Sequence, residues 1–166
     1  MTASARAEIN RTALSNNLAR VRALAPDARV MAVVKANAYG HGIVPVARAL
    51  ADADALAVAR MSEAIAIRDA GCSGRLVLLE GVMLPSELDL AARYKLYLVV
   101  HRSDQIEMLC AWQGSAPLDV WLKIDTGMNL LGFRPEDAQA SWRALRECAA
   151  VSDGIRLMTH LASADD

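Results

Sequence analysis

Ala32-Val33-Val34-Lys35-Ala36-Asn37-Ala38-Tyr39-Gly40-His41-Gly42 joins an apolar run to a glycine-punctuated polar turn and puts one lysine at the junction. An ammonium group beside Val33 and Val34 costs several kcal/mol to bury unless it is paired or chemically consumed. Covalent linkage to an aldehyde would consume it. The competing reading is a lysine whose stem packs while its head reaches solvent.

Outward from that stretch, Val30 to Ala36 is a continuous apolar run, short enough for a strand buried on both faces, with Lys35 at its carboxyl end. Upstream, residues 6 to 9 read as a short extended segment, and Asn10 stands where an N-cap would before Leu14, Leu18, Val21 and Leu24, which share one helical face. Downstream, the turn from Asn37 to Gly42 leads into a helix through Val46, Ala47 and Leu50. The strand–turn–helix unit then recurs. Strands are expected at Ala55 to Ala59, Leu76 to Leu79, Leu96 to Val100, Val120 to Ile124 and Ile155 to Thr159. Between them, Ser62, Ser86 and Ser103 are placed to open helices, and Pro135 to start one over Glu136 to Ala149.

Six strands alternating with helices predict a parallel α/β architecture in right-handed βα units. A doubly wound open sheet would satisfy the same pattern. A TIM-type (β/α) barrel is favoured because Lys35, Lys123 and His160 fall at the carboxyl ends of the first, fifth and sixth strands, where barrel loops build active sites. A closed barrel takes about 250 residues. With 166 residues, the chain is expected to form about six of the eight βα units, an incomplete barrel.

With 54% hydrophobic residues and a net charge of -1, the chain can bury a core and offers no basic face for nucleic acid. Cys72, Cys110 and Cys148 are far apart and lack metal-ligand spacing. They read as buried free thiols of a reducing compartment, expected to be the cytoplasm, and no metal site is expected. No apolar run is long enough to span a bilayer, so no membrane partner is expected. His41 is expected to order the first turn. His101, Trp112, Trp121 and Trp142 read as structural.

Val33-Val34-Lys35-Ala36-Asn37-Ala38-Tyr39-Gly40-His41-Gly42, together with Trp121-Leu122-Lys123-Ile124-Asp125-Thr126-Gly127-Met128, strongly resembles the alanine racemase family. The resemblance implies a barrel of pyridoxal-phosphate fold type III and the cofactor pyridoxal 5'-phosphate. By it Lys35 would be the Schiff-base lysine and the base on the D-alanine face, Tyr39 a phosphate ligand, and His160 a support for the pyridine ring. Each has a plainer alternative, for His160 a core histidine satisfied by a backbone carbonyl. Lys123 corresponds to a supporting lysine that is often carbamylated in the family, where it holds an arginine seven residues on; its alternative is a core-edge lysine paired with Asp125 or with a neighbour across the barrel. At that arginine position this chain has Leu130, which can neither donate to a phenolate nor pair with a carbamate, and Arg134 is the nearest substitute in sequence.

The implied activity is interconversion of L- and D-alanine, a D-alanine supply for peptidoglycan in cell-wall biogenesis, with small amino acids as substrates and homodimers or self-association as the assembly. Residues 1-166 would then be a partial N-terminal cofactor-binding barrel domain, without the C-terminal β domain that carries the second proton carrier, and so an inactive or impaired fragment. Two other readings stay open. One is a non-catalytic pyridoxal-phosphate carrier barrel; the other is a remnant that pairs with a full-length relative.

Overall fold

The computed structural model describes residues 8–164, and over them the chain forms one six-stranded parallel sheet ordered β1-β2-β3-β4-β5-β6. The strands are β1 (Met31–Val33), β2 (Ala55–Val58), β3 (Leu76–Leu78), β4 (Tyr97–Val100), β5 (Val120–Lys123) and β6 (Arg156–Met158). The helices are α1 (Arg11–Leu24), a short turn α2 (Lys35–Tyr39), α3 (Ile43–Ala49), α4 (Met61–Asp69), α5 (Glu87–Arg93), α6 (Ser103–Ala111) and α7 (Ala138–Glu147).

Side-chain alternation along the strands explains the layering. Leu56, Val58, Leu76, Leu78, Leu98, Val100, Val120 and Leu122 pack on one face with Ala64, Ile67, Leu88, Leu109 and Leu145 from the helices. Each fully buried leucine there contributes about 1.5–3 kcal/mol. The opposite face carries a second cluster built of strand residues alone, Ala55, Ala57, Val77 and Val99, with Tyr97, Trp121 and Met158 against it. Helices confined to one face, and a strand order without reversal, make this a curled half-barrel of the TIM type and rule out the doubly wound sheet.

Several local expectations are corrected. Each strand is shorter than its apolar run. β1 is not buried on both faces: Val33 is 41% exposed, because β1 is an edge strand whose inner side is open. Arg60, not Ser62, occupies the cap position of α4. Ser86 sits at the cap of α5 without a capping bond, and the Glu87 carboxylate instead accepts the Met83 and Leu84 amides at 2.6 and 3.2 Å. The helix expected over 136–149 begins as a tight turn, Pro135–Asp137, before α7. Of the extended segment expected at 6 to 9, the first two residues lie outside the described residues and the rest form no strand.

The cysteine expectation is also corrected. Cys110 and Cys148 are joined as a disulfide across a Cα separation of 4.8 Å, leaving Cys72 as the free thiol. Their sequence separation conceals a spatial match, since one lies in the last turn of α6 and the other directly follows the neighbouring α7.

Two polar anchors hold the helices to the sheet. On the amino-terminal rim the Arg68 guanidinium donates to the carbonyls of Cys72 (2.8 Å), Gly74 (2.7 Å), Tyr94 (2.8 Å) and Lys95 (3.1 Å), the residues that lead into β3 and β4. The Asp54 carboxylate accepts the Val30 amide at 2.9 Å and Arg22 at 3.3 Å, tying α1 to the starts of β1 and β2. The Val30 bond, then Arg22, hold the Asp54 carboxyl below its ordinary 3.8. The folded chain therefore binds this proton less readily than the unfolded chain. The resulting stabilisation is present above pH 3.8 and is lost as pH falls through the lowered native value. Asp54→Asn is expected to flatten that acid loss, measured as the change in urea midpoint between about pH 5 and pH 2.

Candidate active site

At the carboxyl end of β1 the chain does something unusual for residues with side chains. Ala36, Asn37, Ala38 and Tyr39 all take left-handed backbone angles, with φ of 53, 54, 53 and 52°. For residues other than glycine this costs roughly 1–2 kcal/mol each, less for asparagine, so the turn persists only if its surroundings over-determine it. They do. Within the turn, the Gly40 amide donates to the Ala36 carbonyl and the Gly42 amide to that of Asn37, both at 3.0 Å. The Asn37 side-chain oxygen accepts the Ile43 amide at 2.9 Å and so caps the entry to α3. His41 Nδ1 lies 2.9 Å from the Ala38 carbonyl, in keeping with its expected ordering role. Ala38 is buried beneath the turn.

The turn opens onto a cavity of about 570 Å³ at the carboxyl ends of the strands. Lys35, Tyr39, Lys123 and His160 all line it, so the four residues singled out in the sequence come together although they are spread over most of the chain. Lys35 is exposed and forms no ion pair among the described residues. The premise of a buried ammonium is therefore corrected: its head reaches solvent in the open mouth. Tyr39 is 60% exposed at the rim.

Lys123 is half-buried at the end of β5, and its Nζ donates to the Leu131 carbonyl at 2.5 Å. Burial pushes this amine below its usual range, partly opposed by Asp125. Of the alternative pairings open to Lys123, the one with Asp125 does not form. The Asp125 carboxylate instead accepts the Gly127 and Asn129 amides, both at 3.0 Å, and those bonds hold its carboxyl below the ordinary value. The loop after β5 then returns to the strand: Phe133 donates to the Lys123 carbonyl at 2.9 Å and accepts the Asp125 amide at 2.8 Å. Gly132 makes the return possible, with φ of 131° and the Asp125 nitrogen only 2.6 Å from where a Cβ would stand. Leu130 is 68% exposed on the cavity wall, and Arg134 is not among the lining residues.

His160 lies two residues beyond β6 and is exposed, not a core histidine. Thr159 Oγ1 donates to the Ile124 carbonyl at 2.9 Å and pairs with Thr126 Oγ1 at 2.7 Å, fixing the exit of β6 against that of β5.

Two supporting groups escaped the sequence reading. Glu63 accepts backbone amides from the exits of β1 and β2; a carboxylate at the third position of a helix was the available signal. Gln105, buried, accepts the His101 amide at 2.9 Å and donates to the Glu80 and Val82 carbonyls at 2.9 and 3.2 Å, which pins the loop after β3. His101, expected to be structural, is buried with Nε2 at 3.0 Å from the Glu80 carbonyl, and burial pushes its pKa below the usual histidine value.

Residues 9–166 match the family model described as alanine racemase, N-terminal domain. A Shewanella loihica protein named alanine racemase is 48% identical over 161 residues, covering 97% of this chain and 45% of that protein. One from Pectobacterium carotovorum subsp. carotovorum is 47% identical over 163 residues, covering 98% and 45% respectively. The crystal structure of the biosynthetic alanine racemase from Pseudomonas aeruginosa superposes with a TM-score of 0.87 at 42% identity, over 93% of this chain and 43% of that one. The Acinetobacter baumannii alanine racemase gives 0.84 at 36% identity, over 95% and 47%. The chain thus spans about half the length of the relatives it matches.

Proposed function

The chain belongs to the alanine racemase family through its N-terminal domain, and from that premise we propose that it is the cofactor-bearing barrel of an enzyme interconverting L- and D-alanine. One observation carries the reading: Lys35, an amine without an ion-pair partner among the described residues, opens into the same cavity as a phenol, an imidazole and a second, half-buried amine. That donor set fits pyridoxal phosphate. A free amine can take the aldehyde, Tyr39 can donate to the phosphate, and His160 can lie against the ring. Bound there, the cofactor would withdraw electrons from the amino acid's α-carbon and acidify its proton.

The remaining work falls to the chain. Lys35, once released from its own covalent link, would take or return the α-proton on one face of the substrate. Lys123 would hold the cavity wall through Leu131, with no arginine at position 130 to lean on. Racemisation requires a proton carrier on the opposite face as well, which we assign to a partner subunit in a homodimer. The residues span the N-terminal cofactor-binding domain in this reading, with a C-terminal β domain lying outside them. No helix among the described residues is long and apolar enough to cross a membrane. From the family we place the enzyme, supplying D-alanine for peptidoglycan, in the cytoplasm, where the Cys110–Cys148 pair would stand reduced.

A carrier without turnover is the second reading, favoured by one observation: Lys123 is engaged with Leu131, so the cavity presents a single unengaged amine. Incubating the protein with pyridoxal phosphate and D-alanine in deuterium oxide separates the two, because Lys35 can exchange the α-proton on its own face without the second carrier that inversion requires. Mass spectrometry is expected to show deuterium entering alanine; a cofactor absorbance band without exchange would favour the carrier, and no band at all would reject both.

A further inference from the structure

The Glu63 carboxylate lies where the exits of two strands meet. Its Oε1 accepts the Asn37 amide at 2.9 Å, inside the left-handed turn that follows Lys35. Its Oε2 accepts the amides of Ala59 at 3.1 Å and Arg60 at 3.2 Å, just past β2. Three backbone donors from two neighbouring strand exits therefore converge on one side chain, and Ala59 itself lines the cavity that Lys35 enters. Glu63 forms no ion pair among the described residues, so its charge is spent on these amides.

We propose that Glu63 is a positioning residue for Lys35: by gripping the Asn37 amide from the adjacent βα unit, it holds the left-handed turn and so aims the Lys35 amine into the cavity. Of the turn's polar contacts, most come from within the stretch from Val34 to Ile43, and a turn braced only by itself can relax as a unit. Glu63 references it to β2 instead. Without the carboxylate the Asn37 amide turns to water, the strained angles lose their outside brace, and the lysine at the head of the turn swings. An amide in place of the carboxylate keeps one accepting oxygen. It can serve either Asn37 or the Ala59 and Arg60 pair, but not both.

The consequence for cofactor attachment rests on the function proposed above, while the brace itself does not, and the test separates them. Hydrogen exchange on the cofactor-free protein reads the brace: in Glu63→Gln the peptide spanning Lys35 to Gly42 is expected to exchange at least tenfold faster, with peptides from β3 and β4 unchanged. Borohydride trapping with pyridoxal phosphate reads the aim. The chain has three lysines, Lys35, Lys95 and Lys123, and the label is expected on Lys35 in the unaltered protein but spread among them in Glu63→Ala, with Glu63→Gln between. Circular dichroism at the labelling temperature, showing each variant folded, separates a loss of aim from unfolding. If Glu63→Ala does not fold, the Glu63→Gln exchange and labelling decide alone. Unchanged exchange, or selective Lys35 labelling in the variants, overturns the positioning role. Absence of Lys35 labelling in the unaltered protein overturns the function it rests on.

Discussion

Lys35→Ala is expected to reduce borohydride-trapped pyridoxyl label to background and to remove the cofactor absorbance band, with the far-ultraviolet circular dichroism unchanged. The competing amines explain why the loss should be near complete. Lys123 has its amine committed to the Leu131 carbonyl, and Lys95 lies before β4, on the rim away from the cavity. Lys35 alone combines exposure, freedom from ion pairing and a place in the cavity wall. The fold should tolerate the change, because an exposed side chain without partners contributes little to stability. Mass mapping of the reduced, digested protein checks this directly, and full labelling of the variant at Lys123 would contradict the assignment.

Gly132→Ala carries the largest expected effect on folding. At φ of 131° an added Cβ would stand 2.6 Å from the Asp125 nitrogen and 2.9 Å from the Ile124 carbonyl carbon, and backbone cannot step aside as a flexible side chain can. Strain and overpacking together should cost about 2–5 kcal/mol. The damage would reach the site, since Leu131 and Phe133 flank this glycine and both bond to Lys123. A fall in urea midpoint accompanied by faster chemical modification of Lys123 is expected. A midpoint within error of the parent would show that the loop after β5 has another way home.

The architecture was legible because parallel strands with helices between them write themselves as apolar runs separated by periodic segments. The runs at Leu76, Leu96 and Val120 each became a strand of the barrel wall. Lys35, Lys123 and His160 were found for a related reason: polar groups at the ends of such runs stand out. What stayed hidden was backbone conformation and long-range satisfaction of amides. Neither Ala36 nor Ala38 announces a left-handed turn, because alanine does not favour it; Asn37 alone tolerates it, and the bonds that hold the turn, the Asn37 amide to Glu63 among them, are made only in the folded chain. The Lys123–Asp125 pairing failed because Asp125 found two amides of its own loop. Cys110 and Cys148 looked unrelated because sequence distance says little about helices that pack side by side.

Arg68 reaches four carbonyls of two segments with a single planar head, at the end of the barrel opposite Lys35. A lysine there, with one compact ammonium, could not span the same oxygens. One guanidinium thereby ties the entries of β3 and β4 together at the pole away from the cavity. A change at Arg68 is expected to lower stability without rearranging the cavity that Lys35 enters.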